Sequence, residues 1–590
     1  VDETADRRQA RATEVAEAAR RLAGARGVHL PDGLRLWALA AGTPDAEAPP
    51  GGPGVGELAD VLEAATDARE RRANGLHVTP RWVADHLVRL AMGEAPPASV
   101  CDPACGGGAF LLAAARALHA AGVPRGEVVR ERLWGADIDD VGLATAEAAL
   151  ALWSGGEVPP AGRLVVGDPL RHGADLWPDR PGGGFGMIAG NPPFQSQLGR
   201  ATARDRAEQA RLRERFGAAV RPYTDTAWLF LLLGCELARA GGTVVLVEPD
   251  SLVAARDATA LRDAVDRAAE LVDLWVDDRR VFTAAVRVCA PILRTRAPAA
   301  PAAAPEASVA AEPRGGASVV DGPGPDRWRD LLADRTGVPR IVLVPSAGRL
   351  RDRATLAAGF RDEYYGLAPL VVESGEARPN EPPNDRHAPL ITAGAVEWGR
   401  TAWGERPARF AKRVWQAPAV DLDRLDAEGT TAARRWVDRT RRPKLVVATQ
   451  TRVVEVAVDE GGTWVPSVPA LAVVPADPGD PDDLWALAAA LASPAATAWL
   501  LRRAPGAALG RGALKVAARD LAELPLPTDA GAWADATAAF RAGAPGLDAF
   551  TAAAAAAYGS PPDLVAWWRE RLGAAAGPAI PTGRVGETSG

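Results

Sequence analysis

The residues that suggest chemistry begin with Asn191-Pro192-Pro193-Phe194, preceded by the apolar run Phe185-Gly186-Met187-Ile188-Ala189-Gly190. Each proline fixes its own φ and pushes its predecessor towards extended geometry. The tetrapeptide therefore presents an amide at Asn191, a carbonyl at Pro192 and an aromatic face at Phe194 in one arrangement. These groups suit holding a planar amino nitrogen edge-on while stacking on its ring. Three acids precede it, Asp102, Asp137 and Asp168, each at the end of a short apolar run. Asp102 opens Asp102-Pro103-Ala104-Cys105-Gly106-Gly107-Gly108, whose glycines let a backbone approach a ligand closely. The loop lacks the Lys-Ser/Thr pair of a phosphate loop and the third glycine of the dinucleotide fingerprint. Asp137 can accept from ribose hydroxyls, Ile138 can cover an adenine face, and Asp168 can accept from an exocyclic amine. A ribose-binding acid without a phosphate cradle points to a nucleoside cofactor without phosphates, S-adenosylmethionine. Each acid taken singly is most simply a solvated strand-end cap; the four features in this order are not.

The elements that must position these groups alternate in the α/β manner over residues 76–295. Strands are expected to end near Cys101-Asp102, at Leu133–Ala136, at Leu164–Val166 and at Met187–Ala189, followed by Thr243–Val247, Leu271–Val276 and Val286–Leu293. Helices are expected at Ala109–Ala121, from Asp140 to about Trp153, and at Thr226–Ala240, with Thr79 capping a further helix that has Pro80 at its first position. This rhythm predicts a mixed, mostly parallel Rossmann-like sheet with helices on both faces, and ligands sit at the carboxyl ends of such strands. Residues 1–75 read as a helical lead-in with no chemistry of its own, split by a Gly/Pro loop at Pro49–Gly56. Residues 296–325 are Pro/Ala-rich and read as a linker. Residues 326–530 form a second, α+β unit, with strand-like runs at Arg340–Val344, Leu445–Thr449, Val453–Val458 and Leu471–Val474 and helices at Pro481–Ala492 and Ala495–Arg502. Residues 531–590 read as a C-terminal helical segment with a polar tail from Thr582.

At 590 residues the chain is too long for one core. Hydrophobic residues make up 47% and charged residues 24%, as in ordinary globular proteins. The net charge of −7 excludes a uniformly basic nucleic-acid binder, so any such contact rests on local patches. The 4 cysteines (Cys101, Cys105, Cys235 and Cys289) have no His/Cys cluster around them, so no zinc or other metal site is expected. No signal peptide and no membrane span is expected, and the expected location is the bacterial cytoplasm, beside the nucleoid.

The segments Asp102–Leu111 (DPACGGGAFL) and Asn191–Phe194 (NPPF), with Gly75-Leu76-His77-Val78-Thr79-Pro80 upstream, resemble gamma-class N6-adenine DNA methyltransferases of restriction-modification systems. The resemblance implies a class I S-adenosylmethionine-dependent methyltransferase fold and a C-terminal target-recognition domain. It implies that Thr79 and Pro80 contact the methionine part with Asp102, Ala104, Gly106 and Gly108. Asp137 would bind the ribose, Ile138 would pack on the cofactor adenine, and Asp168 would meet its amine. Asn191, Pro192, Pro193 and Phe194 would form the catalytic loop. Phe194 and Phe282 would sandwich a target adenine flipped out of duplex DNA. The nearest alternatives are methylation of cytosine N4, of an RNA base or of a glutamine amide, and a DNA-binding defence-complex subunit whose activity is incidental or lost. The long second unit and Asn at position 191 lean away from the other substrates.

Residues 400–452 hold thirteen Lys/Arg against six Asp/Glu. Arg406, Arg409, Lys412, Arg413, Arg434, Arg435, Arg439, Arg441, Arg442 and Lys444 interleave with Trp403, Phe410, Trp415 and Trp436, a mixture that suits phosphate contact with base or sugar packing. Double-stranded DNA is therefore the expected partner. No nuclease block stands out, so methylation without cleavage by this chain alone is expected. A separate restriction nuclease, or other subunits of a phage-defence assembly, stay open as partners.

Overall fold

The structure, a computed structural model, describes residues 3–40, 57–66, 79–195, 204–277, 287–297, 326–359, 361–374, 386–503 and 513–575. Phe282, residues 75–78, the expected loop at 49–56, residues 298–325 and the tail from 582 lie outside them. The chain divides into two compact units, Val1–Arg335 and Thr336–Gly590.

In the first unit eight strands form one sheet: β1 Val100–Asp102, β2 Leu133–Asp137, β3 Leu164–Val166, β4 Phe185–Gly190, β5 Ala238–Leu246, β6 Glu248–Pro249, β7 Ala269–Val276 and β8 Val288–Thr295. The order is β3-β2-β1-β4-β5-β8, with β6 prolonging β5 along one edge of β8 and β7 on its other edge. Neighbours from β3 to β5 are parallel, and β8 runs against β5, β6 and β7. A parallel sheet covered on both faces needs strands that are apolar throughout, and β4 is buried at all six positions. Apolar clusters flank the sheet. One joins the helices Ala109–Ala120 and Asp140–Ser154 to Met187 and Ala189; the other joins the helix Thr226–Leu237 to Ile188 and Val244. Alternate residues of β4 thus feed opposite layers, as the period of a strand requires.

Caps fix where the helices begin beside the sheet. Asp139 accepts from the Val141 amide at the start of Asp140–Ser154, and Asp225 accepts from the Ala227 amide at the start of Thr226–Leu237. The latter helix stops at Leu237, three residues short of expectation, because Ala238 is already extended (φ −75°, ψ 141°) and pairs with Phe185 in β5. Gly241 and Gly242 fall inside that strand, which was expected to begin at Thr243. Pro80 is the N-cap of the helix Arg81–Met92 and lies outside its first position, so Thr79 is free for other work. The helix Asp326–Arg335, expected in the second unit, packs in the first, where the Trp328 indole donates to Asp266 at 2.9 Å.

The second unit is α+β. One four-stranded sheet has the order β10-β14-β11-β18 (Val371–Glu373, Pro418–Asp421, His387–Ile391, Val465–Pro466). A second has the order β17-β15-β19-β9 (Val456–Asp459, Lys444–Val447, Leu471–Pro475, Ala354–Ala358). The hairpin β12-β13 (Ala408–Phe410, Arg413–Trp415) stands as its own two-stranded ribbon. Arg340–Val344 is not a strand: Val342 and Val344 are exposed and the run has no partner strand among the described residues. The helices Ala530–Arg541, Leu547–Ala557 and Pro562–Ala575 belong to this unit, where Phe540, Phe550 and Trp568 close around Trp398.

Candidate active site

β1, β2, β3 and β4 end side by side, so Asp102, Asp137, Asp168 and Asn191 emerge at one edge of the sheet. They surround a cavity of about 250 Å³ whose walls include Thr79, Ala104, Gly106, Ile138 and Pro193. Asp102 is fully buried and accepts from the Ala104 amide at 3.0 Å. Burial raises its carboxyl to about 8; the Ala104 hydrogen bond works against this, and the nearby charge of Asp137 adds to it. Asp137 accepts from the Gly106 amide at 2.7 Å and the Asp139 amide at 2.8 Å, tying the glycine loop to the end of β2. Burial pushes its carboxyl up to about 6 against those two hydrogen bonds. Asp168 caps the short helix Pro169–His172 through the Leu170 amide. Ile138 is 65% exposed and lies on the cavity wall.

Two glycines explain how closely the walls approach. A Cβ on Gly190 would lie 2.4 Å from an oxygen of Asp102, so the end of β4 must be side-chain-free for the acid to sit there. Gly108 turns at φ +85° to start the helix Ala109–Ala120, and its missing Cβ would strike Ala146 at 2.9 Å. It is therefore a packing glycine between two helices, and it does not line the cavity.

At the end of β4 the Asn191 Nδ2 donates to Thr79 Oγ1 at 3.0 Å, which orients the amide. Pro192 is buried and Phe194 is half-buried against the apolar layer. Asp225 accepts from the Gln195 amide at 3.1 Å while capping its own helix, so it anchors the exit of the loop. Arg204 donates to Thr226, which donates to Gln195, extending that anchor. Glu248, in the adjoining β6, is fully buried with neither carboxyl oxygen hydrogen-bonded among the described residues; burial and the charge of Asp225 push its carboxyl well above the usual range.

One wall of the cavity carries no ligand signal in the sequence. The helix Glu57–Ala65 contributes Ala59, Leu62 and Glu63 to the cavity, with Thr66 just beyond it. Arg11 pairs with Asp139 at 2.9 Å, and Arg8 pairs with Asp140, so the first helix is also tied to the loop after β2. An apolar stripe on a lead-in helix signals burial, but nothing in it says that the buried face meets a ligand cavity.

Residues 60–272 match the model of the N-6 DNA methylase family. This part of the chain is similar to N-6 DNA methylases. Its mixed, mostly parallel sheet is the fold class expected from the sequence. No curated protein sequence matches the chain. Among solved structures, the type IIL restriction-modification enzyme MmeI in complex with DNA is 13% identical, with a TM-score of 0.52 over 88% of this chain and 81% of that one. The type IIG restriction endonuclease BpuSI is 14% identical, with a TM-score of 0.39 over 96% and 78%. The type I methyltransferase subunit from Streptococcus thermophilus is 17% identical, with a TM-score of 0.31 over 45% and 53%. The chain spans about half the length of the type I subunits it matches. Among the described residues no single helix is long and apolar enough to cross a membrane.

In the second unit the structure sorts the basic residues expected to meet DNA. Lys444 is fully buried and pairs with Asp459, so it meets no phosphate. Arg406 pairs with Glu397, and Arg434 donates to the carbonyls of Leu425 and Asp426. Trp403, Phe410, Trp415 and Trp436 are core residues, so none stacks on a base. Arg409, Lys412, Arg413, Arg435, Arg439, Arg441 and Arg442 are exposed.

Proposed function

We propose that the chain is an S-adenosylmethionine-dependent DNA methyltransferase of a restriction-modification or related defence system, acting on adenine N6. The observation that carries the reading is the convergence of Asp102, Asp137 and Asn191 on one cavity at the carboxyl edge of a mostly parallel sheet. The residues present fit the cofactor. Asp137 accepts from ribose hydroxyls with its remaining lone pairs, and Ile138 covers the adenine. Asp168 would meet the amine of that adenine, and Asp102 would face the cationic methionine part, whose charge favours the ionised carboxyl. Thr79 orients Asn191, while Ala104 and Gly106 bring backbone close to the ligand.

When bound, the cofactor supplies an electrophilic methyl group on a sulfonium. The target nitrogen is a weak nucleophile because its lone pair is delocalised into the ring. The Asn191 side-chain oxygen and the Pro192 carbonyl accept its two N–H bonds, favour a pyramidal nitrogen and aim its lone pair along the line of transfer. Phe194 stacks on the flipped base, and Phe282 is proposed as its second face. Stacking partly offsets a flipping cost of roughly a few kcal/mol. As the N–C bond formed, the C–S bond would break to leave a neutral thioether, and the cationic nitrogen would then lose a proton to solvent, so positioning and electrostatics supply the catalysis and no strong base is needed. The second unit holds the duplex, and a separate nuclease would supply any cleavage.

The test is incubation of the protein and of Asn191→Ala with S-adenosylmethionine and unmethylated genomic DNA, read by long-read modification sequencing. One modified motif, absent with the variant, is expected. Cofactor binding without any DNA modification would move the substrate to RNA or protein.

A further inference from the structure

Resting on the reading that the second unit holds duplex DNA, we infer that the ribbon β12-β13 reads bases in the major groove. In this assignment Arg409 and Val414 are the specificity-determining pair and Lys412 is a phosphate contact. The cations of residues 400–452 fall into groups by their local partners. Arg400 pairs with Glu397 and Glu405, Arg424 with Glu428, Arg406 with Glu397 and Lys444 with Asp459, while Arg434 binds two carbonyls. Arg439, Arg441 and Arg442 sit in or just after the last turn of the helix Thr431–Thr440, where the helix dipole by itself favours cations, and Arg435 is exposed in the middle of that helix. Arg409, Lys412 and Arg413 have no such local reason and no carboxylate partner among the described residues; all three are exposed on one hairpin.

The hairpin is built to stand out and stay rigid. Its two-residue turn, Ala411-Lys412, has both residues at positive φ (49° and 64°), the primed geometry that follows the twist of a two-stranded ribbon. Neither residue is a glycine, so the turn is held against its own backbone preference. The hold is visible: the Ala411 amide donates to Tyr364 Oη at 3.0 Å, Tyr364 packs on Phe410, and the Trp415 indole donates to the Phe410 carbonyl. Ala408, Phe410 and Trp415 point into the core, so the opposite face of the ribbon shows Arg409 directly across from Val414, which is 64% exposed. A two-stranded ribbon fits the major groove. There arginine reads the guanine edge with two hydrogen bonds, and a branched apolar group reads the thymine methyl. Lys412 at the tip, and Arg413 held over the Trp415 ring at 4.9 Å, face the flanking phosphates.

The experiment uses the full chain and its Arg409→Ala, Val414→Ala and Lys412→Ala variants. It measures binding to the duplex motif that the wild type methylates and to single-base-altered duplexes over a range of salt, together with the methylated motif of each variant. Arg409→Ala and Val414→Ala should each lose about 10-fold or more in discrimination at one position and broaden the motif there. Lys412→Ala should weaken all duplexes alike and lower the salt slope by about 1. All three side chains are exposed, so melting and cofactor binding should match the wild type. A wild type that binds and methylates DNA while the variants keep its motif and slope would overturn the ribbon alone. A wild type that binds no duplex would overturn the DNA reading and the ribbon with it.

Discussion

Replacing Asp102 with asparagine tests the electrostatics of the cofactor cavity. Burial lifts this carboxyl from an ordinary value of 3.8 to about 8. The folded protein therefore holds a proton there that the unfolded chain has already released. Between those two values folding takes up protons, so stability falls as pH rises and the loss is complete above about 8. At pH 7 the wild type should have lost about 1.4 kcal/mol for each pH unit above the unfolded value, or ~4 kcal/mol relative to strongly acidic conditions. Relaxation and the higher effective dielectric around the group reduce this to roughly 2 kcal/mol. Asparagine copies the shape of the protonated acid and does not titrate. Thermal melting of both proteins between pH 6.5 and 8.5 should show the wild type losing stability relative to Asp102→Asn as pH rises, the window in which Asp137, at about 6, is already ionised. Adding S-adenosylmethionine should narrow the gap, because a cationic ligand favours the ionised acid, and only the wild type should release a proton on binding. Parallel melting curves across the range, with equal cofactor affinity, would refute the reasoning.

Gly190→Ala places a Cβ 2.4 Å from an Asp102 oxygen and should cost about 1–3 kcal/mol of stability and at least ~10-fold in cofactor affinity, read by calorimetry. Asp137→Ala leaves the Gly106 and Asp139 amides without their acceptor, so calorimetry should find cofactor binding abolished and melting a loss of roughly 2–4 kcal/mol. Lys444→Ala strands Asp459 in the core and should cost about 3–5 kcal/mol, while the salt dependence of DNA binding below the melting temperature stays as in the wild type.

The first unit was legible because its signals are local and steric. A parallel strand buried on both faces must be a short apolar run, and an acid or an Asn-Pro-Pro turn at its end marks the edge where ligands sit. Boundaries slipped where two elements abut without a loop, as at Leu237 and Ala238. The helix Glu57–Ala65 was legible as an element and illegible as a cavity wall, since its partner surface comes from residues far along the chain. The basic and aromatic interleaving of residues 408–415 misled for a simple reason: strand alternation places Phe410 and Trp415 inwards and Arg409 outwards, so the mixture is the period of a ribbon rather than a row of stacking platforms. Whether a lysine is a phosphate contact or half of a buried ion pair depends on an acid such as Asp459, which composition does not locate.

The most direct measurement is mass spectrometry of nucleosides released from DNA treated with the purified protein and isotopically labelled S-adenosylmethionine. The account predicts label in N6-methyladenine alone, lost with Asn191→Ala while the variant still binds cofactor. Label in N4-methylcytosine, or in RNA or protein with none in DNA, would contradict it.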